Sequence, residues 1–207
     1  MKPRLQMKLQ PHSRQVFSLF FSTLKSSFAH RGSSQIRIIL NQDGVLTASA
    51  TKVDSFQSDP TGASFSKPDL DTKSLYGPLF TIYLDSQPSP TSIFTYTKTT
   101  QRSTYDDARA RKNIAGPTVL VDVLLYNLQG MITETSLSNV AVYRNGQWFT
   151  PHSSTGCLPG VLRRWLLEQG RIREDTAQRL TKDSIQDGDW ILLLNGVHGC
   201  RLGRVCL

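Results

Sequence analysis

Short runs of apolar and alternating residues recur along the chain, and most of them end at turn-forming residues. Two β-rich runs flank NQDG within residues 35–53, which predicts a β-hairpin. PLFTIYLDSQP predicts a strand that is stopped by the prolines of QPSPT. TVLVDVLLYN is apolar almost throughout, and it predicts a strand that is buried on both faces.

The second half of the chain combines further strands with helices. VAVYRNGQWFT contains an Asn-Gly pair typical of a type I′ hairpin turn, and WILLLNGVHG predicts a strand ending at Asn195-Gly196. LPGVLRRWLLEQG predicts a helix that begins at Pro159-Gly160 and ends at Gly170. YDDARARKNI has helical composition, MITETSLSN predicts a strand, and a further short helix is expected within residues 171–189. Hairpins interleaved with helices predict an α+β fold.

One lysine stands in unusual surroundings. FTYTKTTQRSTYDDARAR places Lys98 among threonines, just ahead of a predicted helix, and we expect residues 93–98 to form a short extended segment. A primary amine can attack a carbonyl carbon, so Lys98 is a candidate for covalent chemistry. The alternative is a solvent-exposed lysine near the start of a helix.

The net charge of +8 comes almost entirely from the beginning of the chain. Residues 1–42 contain seven Lys or Arg and no acidic residue, whereas the rest carries 17 basic and 16 acidic residues. A nearly neutral body argues against nucleic-acid binding as the main function. The three cysteines form no CxxC pair, the four histidines have no ligand spacing, and no apolar run is long enough for a membrane helix. We therefore expect no metal site and no membrane partner.

The basic beginning of the chain permits two interpretations. Its phenylalanines and a leucine fall on one face of a potential helix: Phe17, Phe20, Phe21, Leu24 and Phe28. An acid-free, serine-rich amphipathic start is typical of a mitochondrial targeting segment. A surface helix packed on a sheet has the same pattern. We expect the surface helix, and with it a cytoplasmic location.

Three features of the second half could together hold pyridoxal phosphate, which needs an acid, anion-binding amides and a reactive lysine. Glu134 is a lone carboxylate in MITETSLSN, although a solvent-facing strand position is the alternative. The free amides of Val161 and Leu162 open a helix and could attract phosphate, unless they form a plain helix cap. The Asn195-Gly196 turn could bind an anion or simply close a hairpin.

The order of these features resembles a known family. VLLYNLQGMITETSLSNVAVYRNGQWFTPHSSTGCLPGVLRRWLLEQGRIRE resembles the class IV aminotransferase-like family of pyridoxal-phosphate enzymes. The matching positions are Gly130, Glu134, Ser136, Asn139, Thr150, Pro151, Gly156, Leu158, Gly160 and Arg163. YTKTTQRSTYDDARAR is similar to the lysine segment of the 4-amino-4-deoxychorismate lyase branch, and YLDSQPSPTSIFTYTKTT is similar to fungal members of that branch.

The resemblance implies a role for each matched site residue. Lys98 would bind the cofactor covalently and transfer the proton, and Glu134 would bind the pyridine nitrogen. The helix start and the last turn would bind the phosphate. The full set of cofactor-binding residues implied in this way is Lys98, Glu134, Asn139, Val161, Leu162, Asn195 and Gly196.

The resemblance also implies a fold and a reaction. The fold would be the fold-type-IV architecture, with a small, incomplete α+β N-terminal domain at residues 1–92 and a larger pseudo-barrel domain at residues 93–207. The reaction would form 4-aminobenzoate and pyruvate for folate synthesis in a homodimer acting on a small molecule. A class IV transaminase for branched-chain or D-amino acids is one alternative. An inactive truncated homologue is another, because residues 1–34 do not match the family.

Overall fold

The computed structural model describes residues 4–8, as backbone only, together with residues 33–65, 67–69, 76–116 and 118–207. The chain divides into two compact units, residues 1–57 and 58–207. The phenylalanine-rich helix expected near the start of the chain lies outside the described residues. The domain boundary expected near residue 92 stays a prediction.

The first unit contains a three-stranded antiparallel sheet. Its strands are β1 (Arg4–Lys8), β2 (Ser34–Leu40) and β3 (Val45–Lys52), in the order β1-β3-β2. Gly44 has a φ of 74° in the turn between β2 and β3, a conformation that glycine adopts without strain. The predicted hairpin around NQDG is therefore confirmed.

The second unit is built on one eight-stranded mixed sheet with the order β6-β5-β4-β11-β10-β7-β8-β9. β4 pairs in parallel with both β5 and β11. Its strands are β4 (Phe80–Leu84), β5 (Val121–Tyr126), β6 (Ile132–Thr135), β7 (Asn139–Arg144), β8 (Gln147–Thr150), β9 (Arg173–Glu174), β10 (Trp190–Asn195) and β11 (Gly199–Cys206). The strands expected from the sequence are confirmed. Asn145 and Gly146 both have positive φ, as the predicted β7–β8 turn requires.

The connection between β6 and β7 makes this sheet curl. The two strands are consecutive in the chain, yet β5, β4, β11 and β10 stand between them in the sheet order. Only residues 136–138 join β6 to β7. Since so short a turn cannot cross four flat strands spaced about 4.8 Å apart, the sheet bends until these strands approach each other. The turn at residues 136–138 thus lies where the curled sheet almost closes.

The part of the chain that the structure describes contains three α-helices: α1 (Ile93–Tyr96), α2 (Ser103–Arg111) and α3 (Val161–Glu168). Both α2 and α3 were predicted, and α3 begins after Gly160 as expected. The helix expected within residues 171–189 is only a 3-10 turn at Lys182–Ser184.

The extended segment expected at residues 93–98 is wrong, because residues 93–96 form α1. The Ser92 side chain accepts a hydrogen bond from the Phe94 amide, and the Thr95 hydroxyl accepts one from the Ser92 amide. This reciprocal capping satisfies free amides at the helix start and stabilises a single turn. Thr97 returns to an extended conformation just before Lys98.

The two faces of the sheet contact different partners. Leu124 and Ile191 belong to a cluster that fills one side, together with Ile82 and Val140. On the other side, Val123 packs with the Tyr105 and Ala108 side chains of α2. Within the described ranges, no helix is long and apolar enough to cross a membrane. The predicted α+β fold is confirmed.

Candidate active site

Glu134 is a buried carboxylate at the end of β6. Its side chain is held by the Tyr105 hydroxyl, which donates to Oε1 at 2.8 Å, and by the Asn139 amide, which donates to Oε2 at 3.2 Å. The Leu158 amide also donates to Oε1, at 3.3 Å. Glu134 is only 5% exposed. The structure therefore rejects the solvent-facing alternative for this residue.

Burial has a large effect on the acidity of Glu134. Removal from water raises the pKa of its carboxyl to about 7, and the hydrogen bonds from Tyr105 and Leu158 oppose that rise. The positive charges of Lys98 and Arg102 also oppose the rise, and a pKa of about 7 is the net result. The three groups that donate hydrogen bonds to the carboxylate are all neutral, so a bound cation would stabilise its charged form.

Asn139 links Glu134 to the segment that precedes α3. Its side-chain amide donates to the Leu158 carbonyl at 2.8 Å as well as to Glu134. Gly160 leaves room for this arrangement, because a Cβ atom there would lie 2.0 Å from Oδ1 of Asn139. The matching positions of the family pattern thus contact one another around the carboxylate.

Lys98 is exposed and follows α1 directly. The α1 segment packs against Gly156, where a Cβ atom would lie 2.2 Å from a methyl carbon of Thr91 and 3.5 Å from the Tyr96 hydroxyl. Gly156 has a φ of 93°, which a larger residue adopts only with strain. The positive charge of Lys98 is one of the smaller influences that lower the pKa of Glu134.

The two predicted anion-binding turns lie on either side of Asn139. Gly160 precedes α3, whose first amides, those of Val161 and Leu162, have no carbonyl partner within the helix. On the other side, Leu194 of β10 pairs directly with Asn139. The structure thus brings the start of α3 and the end of β10 close to the residue that holds Glu134.

The Asn195-Gly196 turn closes the β10–β11 hairpin. The side chain of Asn195 donates to the Leu137 carbonyl at 2.8 Å and accepts from the Val197 amide at 2.8 Å. Gly196 is exposed, and its Cβ position meets no atom within 4 Å. The backbone at Asn195-Gly196 is a hairpin turn, as one of the two interpretations of the sequence predicted. Gly196 is exposed in this turn.

Sequence reasoning missed three side chains that reach this region from α2 and its N-cap. The Arg102 guanidinium lies 4.8 Å from the centre of the Tyr105 ring and donates to the Ser136 carbonyl at 2.6 Å. Arg109 donates to the Ser136 hydroxyl at 3.0 Å. The three residues are spaced at i, i+3 and i+7, which places them on one helical face. This spacing is the sequence pattern that could have identified the three residues as neighbours.

The candidate site therefore offers binding groups for both positive and negative charges, together with a nucleophile. A buried carboxylate favours a cationic group, the amides of Val161, Leu162 and Gly196 could bind an anion, and Lys98 offers a primary amine. A planar cofactor with a basic ring nitrogen, a carbonyl and a phosphate has all three complementary groups.

Comparison with known proteins shows the family of this chain. A family model described as amino-transferase class IV matches residues 16–204. The expectation that residues 1–34 do not match the family is therefore wrong for residues 16–34. A Schizosaccharomyces pombe protein named "Putative aminodeoxychorismate lyase" is 45% identical over 118 residues, which cover 56% of this chain and 51% of the relative. The aminodeoxychorismate lyase of Saccharomyces cerevisiae is 38% identical over 139 residues, which cover 60% of this chain and 36% of that protein. The chain thus matches about half of one curated relative and about a third of the other.

The fold has solved counterparts. The branched-chain amino acid aminotransferase of Thermobaculum terrenum, crystallised in its PLP-form, superposes with a TM-score of 0.60 and 13% sequence identity. The superposition covers 95% of this chain and 64% of that enzyme. At 13% sequence identity, this similarity shows a shared fold and not a shared reaction. The predicted fold-type-IV architecture is confirmed.

Proposed function

The chain belongs to the class IV aminotransferase family, and on this premise we propose that it is a pyridoxal-phosphate-dependent aminodeoxychorismate lyase. The reaction would split 4-amino-4-deoxychorismate into 4-aminobenzoate and pyruvate. The observation that carries the proposal is the buried carboxylate of Glu134, which receives hydrogen bonds only from the neutral groups of Tyr105, Asn139 and Leu158. The choice of the lyase reaction is supported by the two fungal relatives, which match at 45% and 38% identity.

The residues present fit the pyridine end of the cofactor. Glu134 is buried and receives hydrogen bonds only from the neutral groups of Tyr105, Asn139 and Leu158. A charge so placed is costly unless an opposite charge accompanies it. A protonated ring nitrogen against Oε1 or Oε2 would supply that charge and bring the carboxyl pKa down from about 7.

The residues also fit the phosphate end. Val161 and Leu162 present amides at the positive end of the α3 dipole, and Gly160 carries no side chain that would cover them. The exposed Gly196 adds a further amide on the β10 side of Asn139. We propose that these amides bind the phosphate and that Asn139 orients the Glu134 carboxylate between them.

The chain's own groups would perform the proton chemistry. Bound pyridoxal phosphate supplies an electron-accepting ring that stabilises negative charge next to a substrate amine. Glu134 keeps the ring nitrogen protonated. Nζ of Lys98 would hold the cofactor and, once free, would take the proton from the substrate carbon. The threonines around Lys98 add no charge to the site.

The apolar side chains near Lys98 support a homodimer. Ile93 and Phe94 of α1 are 69% and 50% exposed, and Tyr96 is 44% exposed. Exposed apolar clusters are typical of interfaces. We therefore propose that the chain acts as a homodimer on a small-molecule substrate in the cytoplasm. Light scattering coupled to size-exclusion chromatography tests the oligomeric state.

A product assay separates the proposed reaction from its rivals. The full chain is loaded with pyridoxal phosphate and incubated with 4-amino-4-deoxychorismate, and 4-aminobenzoate is followed by chromatography. A parallel sample receives 2-oxoglutarate with a branched-chain or D-amino acid. We expect 4-aminobenzoate in the first sample and no glutamate in the second. Glutamate alone would show a transaminase, and absence of both products would show an inactive homologue.

A further inference from the structure

Ser136, two residues after Glu134, is held by an unusually dense set of buried contacts. Arg109 donates to its hydroxyl oxygen at 3.0 Å, and that hydroxyl donates to Oδ1 of Asp122. Arg102 donates to its carbonyl at 2.6 Å, and its own amide donates to the Val123 carbonyl at 3.2 Å. Every polar group of Ser136 therefore has a partner on α2, at its N-cap, or on β5.

The centre of this set is a buried ion pair. Nη1 of Arg109 lies 3.3 Å from Oδ1 of Asp122, and the two residues are 8% and 2% exposed. Ser136 is also 2% exposed. Asp122 accepts a further bond from the Val123 amide at 2.8 Å, and Arg109 donates to the Gly116 carbonyl. A buried ion pair adds little net stability to a protein, so we attribute to this pair a role in fixing the positions of the segments that it joins.

This buried set connects the two halves of the candidate active site. Arg109 lies on the helix that begins five residues after Lys98, and Ser136 lies in the turn between Glu134 and Asn139. The turn has further supports, because the Thr135 amide donates to the Ser138 carbonyl at 2.8 Å. Any movement of α2 relative to the β6–β7 turn must therefore break buried hydrogen bonds.

We propose that Arg109, Asp122 and Ser136 are positioning residues that hold the Lys98 segment at a fixed place relative to Glu134. They act through the backbone of α2 and of the β6–β7 turn, and they touch neither substrate nor cofactor. The inference rests on the roles proposed for Lys98 and Glu134. We call these three residues the positioning triad.

The same helix supplies a matched control. Arg111 donates to both carboxylate oxygens of Asp85, at 2.9 and 2.5 Å, and Asp85 is 3% exposed. Among the described contacts of this second pair, none involves residues 134–139. Asp85→Asn and Asp122→Asn therefore make the same chemical change in two ion pairs of α2, each of which contains a buried aspartate. Only the second change touches the positioning triad.

The test measures the Lys98–Glu134 coupling in the full chain without cofactor. The carboxyl pKa of Glu134 is followed by carbon NMR, with and without Lys98→Met, because the lysine charge lowers that pKa. We expect Lys98→Met to raise the pKa in the parent and in Asp85→Asn. In Asp122→Asn and Ser136→Ala we expect a smaller rise, because the lysine segment is no longer held in place. Ser136→Ala removes one hydroxyl and tests the idea even if Asp122→Asn fails to fold.

A second readout uses pyridoxal phosphate as a probe. The covalent bond that forms between Lys98 and this probe is reduced with borohydride, and the labelled peptide is quantified by mass spectrometry. Because small displacements of reacting groups are costly, we expect the triad variants to capture it at least about tenfold more slowly than Asp85→Asn. Equal coupling and equal capture in Ser136→Ala, Asp122→Asn and Asp85→Asn would overturn the inference. Since the NMR measurement needs no cofactor and no turnover, it can fail or succeed independently of the proposed reaction.

Discussion

The Tyr105 hydroxyl donates a hydrogen bond of 2.8 Å to Oε1 of Glu134, and both side chains are buried. The bond joins helix α2 to strand β6. Burial and the nearby Glu134 charge raise the pKa of Tyr105, so the phenol stays protonated and remains a donor. The Tyr105 hydrogen bond thereby stabilises the charged form of the buried Glu134 carboxylate.

Tyr105→Phe removes this donor and keeps the ring beneath Arg102. We expect the carboxyl pKa of Glu134 to rise above about 7, because the lost bond favoured the charged form. We also expect unfolding to become easier by about 1–2 kcal/mol. Carbon NMR titration and urea unfolding measure the two effects. Tyr83→Phe is the control, since the Tyr83 ring faces Lys112 rather than Glu134.

Glu134 should make the stability of the protein depend on pH. Its folded pKa of about 7 lies above its ordinary value of 4.5, so the folded chain binds the proton more tightly than the unfolded chain. The contribution to stability is full below pH 4.5 and is lost as the pH rises through about 7. The loss amounts to about 3 kcal/mol in the cofactor-free protein.

Glu134→Gln cannot titrate, so this loss should disappear. The difference in unfolding free energy between variant and parent should shift in favour of the variant by about 2.5 kcal/mol between about pH 5 and pH 8. Urea unfolding at several pH values measures the shift. A difference that stays constant across this range would show that Glu134 is not the titrating group.

Gly160→Ala should disturb the site through Asn139. The added Cβ atom would lie 2.0 Å from Oδ1 of Asn139, so this side chain must leave Glu134 and Leu158. We expect a stability loss of about 1–3 kcal/mol from the broken bonds. We also expect capture of pyridoxal phosphate to weaken by at least about tenfold. Gly196→Ala is the matched control for the stability loss, because its Cβ position is open; equal losses of stability in the two variants would contradict a clash with Asn139.

Local patterns were sufficient to predict most of the second unit. The β7–β8 hairpin follows from Asn145-Gly146, whose positive φ angles fit the predicted turn, and α3 follows from its amphipathic pattern between Gly160 and Gly170. Turn chemistry acts over two to four residues, so it can be read directly from the sequence. The α1 turn was missed because the reciprocal cap of Ser92 and Thr95 outweighs the extended preference of the threonines.

The surroundings of Glu134 could not be predicted in the same way. All four residues of β6 are buried, so an alternation of buried and exposed positions cannot show which face of the sheet carries the Glu134 side chain. Its partners Tyr105 and Leu158 lie 29 and 24 residues away in the chain. They meet because the sheet curls until β6 approaches β7, and that closure depends on long-range pairing. The positioning triad depends on the same closure.

Covalent capture at Lys98 tests the central claim most directly. The full chain is incubated with pyridoxal phosphate, reduced with borohydride and mapped by mass spectrometry, beside Lys98→Ala and Lys182→Ala. Lys182 is an exposed lysine paired with Asp183, and its removal serves as the control. We expect the label on Lys98 in the parent and in Lys182→Ala, and none at the active site in Lys98→Ala, which should stay folded because Lys98 is exposed. Labelling spread equally over surface lysines, or unchanged in Lys98→Ala, would contradict the assignment of this site.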